Sequence, residues 1–399
     1  MKEKIKINLL PNYFLKEDNV FDLDEALMLS GKIAGECYDE EGFEHILLEP
    51  TEKTLKRIND TLTNCHHSVY DHIYVSLNIQ NIPKILAMVI NNENQYTTAE
   101  KSARYTKIEM KENSTITQKE IELYNKWLEI FKEQITNKYE NVYKPFKVRT
   151  LSQENARYLI SVFVPTQMIY TTSLRQLNYL VSWMNKYINE IDNNNSFQVK
   201  LSEAMKDFIS ELNRLNLLEE RLQQNEKNRS LSLFGKDLEK KEVHFGDVYS
   251  TCYLGSFAEL AQAQRHRTLD YKMEILGDKM YFIPPIIEDN EELVNEWLND
   301  IKSVSDVYPQ GELVRIYECG KYDDFILKCK ERLCSAAQLE IMKQTRDTLL
   351  KYRDSLIESN SYLAEDIEKY TKGARCTFPQ FTCTKPCGFS EGINLSRKI

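Results

Sequence analysis

The sequence predicts an α+β protein built from two tandem copies of one fold, each a small sheet flanked by long helices. Its 399 residues are long for a single ordinary domain. Hydrophobic residues make up 42% of the chain and aromatic residues 11%, which is enough to bury a core in each half. Strand-like and helix-like segments also recur in one order, which indicates an internal duplication.

The first copy opens with a predicted helix at 52–64 and a loop at 65–72. A strand follows at 73–79, where apolar and polar residues alternate as they do in a sheet with one buried face. The apolar segment 82–91 predicts a short helix. Apolar residues at helical spacing predict longer helices at 118–138, from near residue 153, at 174–190 and at 201–218.

The second copy repeats this order with a strand at 248–254, a helix at 257–264, a strand at 280–283 and helices at 291–303 and 322–352. When the two copies are aligned, position 92 corresponds to position 265 and position 202 to position 335. The offsets along the sequence are 265 − 92 = 173 and 335 − 202 = 133. The second copy is therefore about 40 residues shorter. We predict domains at 1–225 and 243–372, a polar linker at 226–242 and a Cys-containing tail at 373–399.

Charge and hydropathy exclude several classes of partner. A net charge of −9 argues against a nucleic-acid-binding groove, although a few arginines suffice for a small anionic ligand. No apolar run reaches membrane-spanning length, and the N-terminus lacks a signal-peptide pattern. We therefore expect a cytoplasmic protein without a membrane partner, in which the nine cysteines are thiols rather than a disulfide framework.

The clearest local motif is Arg265-His266-Arg267, at the end of the apolar helix. Two arginines offer paired donors that suit phosphates and pyrimidine carbonyls, and the histidine between them can donate to a ring or a phosphate. The alternative is a solvated basic helix end, which the helix dipole favours.

Neighbouring residues strengthen the functional interpretation. Gln262-Ala263-Gln264-Arg265-His266-Arg267 resembles the Gln-x-x-Arg-His-Arg motif of the flavin-dependent thymidylate synthase family. Further segments resemble that family's other motifs, in family order: 65–72, 100–105, 154–157, 174–177 and 331–341. The sequence departs from the family pattern at Ile275, at Ala336 and at Asn92-Glu93-Asn94, which stands where the first copy should have Arg-His-Arg.

The two halves keep complementary parts of the family's site. The first keeps Glu100, Ser102, Arg104, Arg157 and Arg175, and the second keeps Gln262, Arg265, His266, Arg267 and Arg332. Met184 stands where the first copy would have the counterpart of Arg332. The resemblance implies two copies of the family's α/β fold that form a pseudo-dimer with one composite site. Pairing of two chains would then give a homodimer that is a pseudo-tetramer.

The resemblance also implies a role for each residue. Catalysis would involve Arg265, His266 and Arg332; the nucleotide would be bound by Gln262, Glu100, Ser102, Arg104, Arg157 and Arg332; FAD would be bound by His66, Ser68, Arg175, Arg265, His266 and Arg267. The implied reaction is reductive methylation of dUMP, with methylenetetrahydrofolate as carbon donor, reduced FAD as hydride source and NADPH as electron donor. The alternatives are a catalytically silent nucleotide-binding homologue and a C5-modifying enzyme for another pyrimidine nucleotide.

Three cysteines of the tail, Cys376, Cys383 and Cys387, lie close together in sequence. Their spacing matches no usual zinc motif, and no fourth cysteine lies nearby in the sequence. We therefore favour unligated thiols or a local redox disulfide over a metal site. Of the other histidines, we expect His72 to be structural and His67 to be exposed.

Overall fold

A computed structural model describes residues 4–102, 116–224, 229–235 and 242–399. The chain forms two compact units. The first unit comprises Met1–Lys101 and Pro165–Ser232, and the second comprises Ser102–Val164 and Leu233–Ile399. These units are defined by spatial contacts, whereas the predicted domains are continuous segments of sequence. The domain boundaries therefore remain a prediction.

The first unit contains a four-stranded antiparallel sheet made of β1 (Lys6–Leu9), β2 (Tyr74–Pro83), β3 (Thr97–Glu100) and β4 (Pro165–Ser173). The strand order is β1-β2-β4-β3, and β2 pairs with β4 from Tyr74 opposite Ser173 to Pro83 opposite Pro165. Val75, Leu77 and Ile79 are buried on one face of β2, which confirms the alternation read from the sequence.

The second unit contains a sheet of the same design, made of β5 (His244–Phe245), β6 (Val248–Ser256), β7 (Asp270–Ile275) and β8 (Leu313–Lys321). Its strands are antiparallel in the order β5-β6-β8-β7. The predicted strand at 280–283 is wrong, because only an isolated bridge joins Tyr281 to Glu312. Pro284 and Pro285 follow directly and have no N–H groups to extend a ladder.

The helices are, in chain order, α1 (Leu23–Ile33), α2 (Phe43–Leu47), α3 (Thr51–Thr63), α4 (Lys84–Ile90), α5 (Gln118–Tyr139), α6 (Pro145–Ala156), α7 (Leu174–Glu190), α8 (Ser196–Arg214), α9 (Glu220–Gln223), α10 (Phe257–Ala263), α11 (Glu291–Lys302), α12 (Tyr322–Arg332), α13 (Leu339–Glu358), α14 (Ala364–Glu368) and α15 (Ser390–Ile393). None of the helices within the described ranges is long and apolar enough to cross a membrane.

Three helix predictions need correction. The helix expected at 201–218 spans Ser196–Arg214, and the Asn195 side chain caps its start. The helix expected from near residue 153 begins at Pro145, whose missing N–H costs nothing in the first helical turn, and it ends at Ala156. The helix expected at 322–352 is two helices, α12 and α13, separated by the segment 333–338. That break places Arg332 at the end of one helix and Gln338 at the start of the next.

An aromatic core in the second unit fixes the segment that carries Arg157. Trp127 of α5 meets Trp297 of α11 edge-to-face, with ring centroids 4.9 Å apart. At the start of α5, Thr117 and Glu120 form a capping box, and the second oxygen of Glu120 accepts a hydrogen bond from the Ser161 backbone N–H at 2.8 Å. The short turn after α6, which begins at Arg157, is thereby tied to α5.

Candidate functional site

The motif Arg265-His266-Arg267 forms a turn directly after α10. Ser256 caps α10 by accepting from the Glu259 N–H at 3.1 Å, and the helix ends at Ala263. His266 turns inward and is only 5% exposed, whereas Arg265 and Arg267 lie on the surface. The turn therefore presents two guanidinium groups outward and one imidazole inward.

Arg332 fixes the inward imidazole. Its Nε donates to Nε2 of His266 at 2.6 Å, and its Nη2 donates to the Gln262 carbonyl at 3.2 Å. Burial, followed by the positive charges of Arg332 and Lys328, lowers the pKa of His266 to about 2. The ring is therefore neutral, with its proton on Nδ1, and the Glu331 carboxylate 3.5 Å from Nδ1 is a polar neighbour rather than an ion-pair partner.

A second chain of hydrogen bonds in the same unit holds Arg157. Nη2 of Arg157 donates to Oε1 of Gln338 at 2.8 Å, and Nε2 of Gln338 donates to the Tyr158 hydroxyl at 2.6 Å. The Tyr158 hydroxyl then donates to Glu340 at 2.8 Å, and the other oxygen of Glu340 accepts from the Ser256 N–H at 2.9 Å. Arg157 is 4% exposed, so this chain holds its guanidinium in one orientation.

Glu318, Lys328 and Glu259 are among the buried ionisable side chains that the sequence did not reveal. Lys328 and Glu318 form a fully buried ion pair at 2.6 Å, and the hydroxyls of Tyr249 and Tyr253 donate to the same carboxylate. Glu259 is completely buried, and neither of its oxygens has a hydrogen-bond partner within the described residues. Burial raises the pKa of Glu259 well above its usual range, so the group is a neutral acid.

In the first unit, the predicted flavin ligands lie around the turn His67–His72. His66 and Ser68 are exposed at its start. Arg175, the second residue of α7, forms an ion pair with Asp71, whose other oxygen accepts from the Ser173 hydroxyl at 2.6 Å. The ion pair and this hydrogen bond fix the turn against the start of α7.

The expectation that His67 is exposed is wrong. Its side chain is buried, with Nδ1 3.0 Å from the Tyr179 hydroxyl and Nε2 3.3 Å from the Leu62 carbonyl. Burial, and to a smaller extent the charges of Arg175 and His66, lowers the pKa of His67. His67 is thus a satisfied core residue, whereas His66 and His72 are exposed. His72 was expected to be structural, and its exposure does not support that expectation.

The predicted nucleotide ligands at 100–104 are described only in part. Glu100 ends β3 and accepts from the Lys84 ammonium at 2.7 Å. Ser102 is half-buried, and Arg104 lies outside the described residues.

Asn92-Glu93-Asn94 forms the turn after α4 in the first unit. Glu93 is 1% exposed and accepts from Arg229 at 2.5 Å and from the Ser232 N–H at 2.6 Å. The Arg229 guanidinium also lies 3.6 Å from the centre of the Trp183 ring. This ion pair was missed because 136 residues separate Glu93 from Arg229.

Comparisons with known proteins match one segment of the chain. Residues 23–189 match the family model described as thymidylate synthase complementing protein. The chain is 27% identical over 150 residues to the flavin-dependent thymidylate synthase of Thermococcus onnurineus (strain NA1), which covers 36% of this chain and 58% of that protein. It is 28% identical over 145 residues to the flavin-dependent thymidylate synthase of Pyrococcus furiosus (strain ATCC 43587 / DSM 3638 / JCM 8422 / Vc1), which covers 35% and 56%.

These matches show that one segment of this α+β chain is similar to flavin-dependent thymidylate synthases. The chain spans a little over half the length of the two relatives it matches. Over the matched segment, the resemblance to the flavin-dependent thymidylate synthase family is confirmed. The segment 23–189 contains His66, Glu100, Arg157 and Arg175 and ends before the turn that carries Arg265.

Proposed function

We propose that the protein is a flavin-dependent thymidylate synthase that converts dUMP to dTMP in one composite site. The observation that carries this proposal is the turn 265–267, where two outward arginines flank a neutral histidine braced by Arg332. Such a turn presents fixed positive charge to an anionic ligand. The matched segment 23–189 supplies the complementary family motifs.

Tandem duplication with division of labour accounts for what each half retains. The two sheets have the same antiparallel strand order, which supports two copies of one fold. Random decay would damage both sides of a site, whereas here each half lacks what the other keeps. On this proposal the domains are 1–225 and 243–372, and two chains pair into a homodimer that is a pseudo-tetramer.

For the nucleotide, Arg104, Arg157 and Ser102 would hold the 5′-phosphate, with Glu100 beside them, because a phosphate needs several charge-assisted donors. Arg157 suits this role because Gln338 already orients its guanidinium. Gln262 and Arg332 would contact the uracil edge. The Arg332 guanidinium would offset negative charge that develops on the ring as C5 becomes nucleophilic or as C6 accepts hydride.

The residues present fit a flavin in most respects. Arg265 and Arg267 are exposed cations suited to a pyrophosphate, and His66, Ser68 and Arg175 form an accessible polar group around one turn. His266 does not fit a direct contact, because its ring is buried and its Nε2 is taken by Arg332. We therefore assign His266 to the positioning of Arg332. Reduced FAD would supply the hydride, with NADPH as its reductant and methylenetetrahydrofolate as carbon donor.

The visible spectrum of the purified chain tests the cofactor first. We expect a blue absorption band from bound FAD, either as isolated or after addition of FAD. Release of tritium from [5-³H]dUMP, dependent on methylenetetrahydrofolate and NADPH, then tests the reaction. A chain that neither retains nor binds flavin would overturn the proposal, and turnover of UMP or dCMP in place of dUMP would reassign the substrate.

Paired substitutions test the composite site. Arg104→Ala and Arg265→Ala should each lower tritium release by about 100-fold or more, since each removes a charge-assisted contact to an anionic ligand. Lys351→Ala, an exposed position on α13, is the matched control. Near-normal activity in both arginine variants would rule out one site shared by the two halves.

A second candidate is a nucleotide-binding homologue without catalysis. The observation that favours it is Glu93, which stands in the Arg-His-Arg position of the first half and is neutralised there by Arg229. This candidate predicts that dUMP still binds, by calorimetry, while flavin and turnover are absent.

A further inference from the structure

The loop 333–337 joins two residues of the candidate site. It begins after Arg332, the last residue of α12, and ends before Gln338, which precedes α13. Its internal backbone bonds are local: the Cys334 N–H donates to the Arg332 carbonyl at 2.8 Å, and the Ala337 N–H donates to the Cys334 carbonyl at 3.0 Å. A short irregular connection of this kind keeps one conformation only where other parts of the fold hold it.

The tail, residues 373–399, supplies a hydrogen bond at each end of this loop. The Arg375 N–H donates to the Leu333 carbonyl at 2.7 Å. At the other end, Nη2 of Arg397 donates to the Ala337 carbonyl, also at 2.7 Å. The first and the last residue of the loop are therefore both held by the tail.

Arg397 is fixed in the interior of the second unit. Its side chain is 0% exposed, and its Nη1 donates to the Ile399 carbonyl. Ile399 belongs to the same core as Trp127, and the Lys398 N–H donates to the Tyr139 hydroxyl at 3.0 Å. Burial removes the hydration of a guanidinium, and the hydrogen bonds that offset this loss also fix the carbonyls that accept them.

The Ala337 carbonyl bears directly on Arg157. It belongs to the planar peptide that continues into Gln338, so a fixed carbonyl also fixes the start of that residue. The Gln338 side chain stands at the position that usually caps a helix. Here its amide accepts from Nη2 of Arg157 at 2.8 Å and donates to the Tyr158 hydroxyl at 2.6 Å. The orientation of the Arg157 guanidinium thus depends on the backbone that Arg397 holds.

We propose that Arg397 is a positioning residue, which holds the loop 333–337 and thereby keeps Gln338 and Arg157 in the orientation that binds the 5′-phosphate of the nucleotide. This role rests on the proposed function, which assigns Arg157 to that phosphate. Because Arg397 is completely buried, it acts through the loop rather than by contact with the ligand. Its loss should weaken binding of the phosphate and leave the contacts to the base intact.

Binding of dUMP and of deoxyuridine, which lacks the phosphate, tests this role in the full chain. Arg397→Met keeps the apolar length of the side chain and removes its donors. By ligand-observed NMR, we expect the Kd for dUMP to rise about tenfold and the Kd for deoxyuridine to stay within about twofold. KM for dUMP should rise with that Kd, while kcat stays within about threefold of the wild-type value. Lys385→Met, at an exposed position of the tail, is the matched control and should change neither Kd.

A double-mutant cycle separates positioning from a general loss of stability. Arg157→Met should raise the Kd for dUMP by about 30-fold or more, because it removes the phosphate contact itself. Adding Arg397→Met to that variant should change the Kd by no more than about twofold, since the residue through which Arg397 acts is gone. A merely structural role would lower the affinity by the same factor in both backgrounds.

Different results overturn the proposed function and the role of Arg397. Wild-type protein that does not bind dUMP overturns the proposed function, and this role with it. Wild-type protein that binds dUMP, with equal affinity in Arg397→Met, overturns only the role of Arg397. Equal losses of affinity for dUMP and deoxyuridine, or additive losses in the cycle, would also overturn that role alone.

Arg397→Lys carries the test if Arg397→Met does not fold. The lysine keeps the positive charge, but it lacks the planar fork with which arginine donates to two carbonyls. We expect a Kd for dUMP about threefold higher, an unchanged Kd for deoxyuridine, and faster amide exchange at 334–338 than in the wild type. An unchanged Kd for dUMP in Arg397→Lys would then overturn the positioning role, whether or not the exchange changes.

Discussion

The two turns that follow α4 and α10 have the same arrangement but different chemistry. In each, the middle of three residues is buried and meets an arginine from elsewhere in its own unit: Glu93 meets Arg229, and His266 meets Arg332. The flanking residues are asparagines in the first unit and arginines in the second.

The difference lies in what happens to the positive charge. The Glu93 carboxylate cancels the charge of Arg229, so the first turn is a neutral structural lock. The neutral His266 ring accepts a hydrogen bond from Arg332 without cancelling its charge. The second turn therefore combines the charges of Arg265, Arg267 and Arg332, which is what an anionic ligand requires.

Replacing Arg332 should have the largest effect. Arg332→Met gives the second unit the residue that stands at the corresponding position of the first, Met184. It removes the donor to His266 and to the Gln262 carbonyl, together with a positive charge. We expect kcat/KM for dUMP to fall by about 100-fold or more.

The matched control for that variant is Lys330→Met, an exposed position two residues earlier on α12. It should leave kcat/KM within about twofold of the wild-type value, because surface charges away from a site contribute little. If Arg332→Met behaved in the same way, the second turn would be no more functional than the first.

Breaking the structural lock of the first unit should change stability rather than activity. Glu93→Ala leaves Arg229 and the Ser232 N–H without their acceptor. We expect a loss of about 2 kcal/mol in unfolding free energy, less than for a fully buried pair because Arg229 is partly exposed. Faster amide exchange at 229–235 would localise the effect, and Lys56→Ala, at an exposed position of α3, should cause neither change.

Local patterns predicted the elements whose periodicity is complete within one segment. The alternation in β2 and the bounds of α7 follow from the sequence because one face of each is consistently apolar. The start of α6 was not predicted, although Pro145 favours the first turn of a helix. β1, β3, β4, β7 and β8 were not predicted. In β7, for example, Tyr271, Lys272 and Met273 are all buried, so no alternation of apolar and polar residues marks the strand.

Features that depend on distant residues were not readable from one sequence. No Gly or Pro marks the break between α12 and α13; instead, the Leu333 carbonyl accepts from Arg375 and the Gln338 side chain accepts from Arg157. The identity of the site residues was suggested by motif, but their orientation was not. The motif could not show that His266 is inward and Arg265 outward, because a buried acceptor for Arg332 requires the fold.

The neutrality of His266 makes stability depend on pH. An unfolded histidine binds a proton below about pH 6.5, whereas the folded one stays neutral until about pH 2, so acid favours unfolding. Between pH 6.5 and 4.5, the wild-type chain should lose up to about 1.4 kcal/mol per pH unit more than His266→Gln does. His72→Gln, at an exposed position, is the control. Its unfolding free energy, measured with urea at each pH, should change with pH as that of the wild type does. Parallel curves for wild type and His266→Gln would show that the ring is not buried as a neutral group.

The smallest change is expected when a cation is added to the first turn. Asn92→Arg places a guanidinium at the position that corresponds to Arg265, at the cost of the 2.8 Å bond from Asn92 to the Ser232 hydroxyl. We expect activity within about threefold of wild type and a stability loss of about 1 kcal/mol. The reason is that the ion pair between Glu93 and Arg229 still closes the turn. In addition, Met184, at the position that corresponds to Arg332, supplies no positive charge. A tenfold gain in dUMP turnover would contradict this, because it would mean that the first turn lacks only its cation and is otherwise a competent half-site.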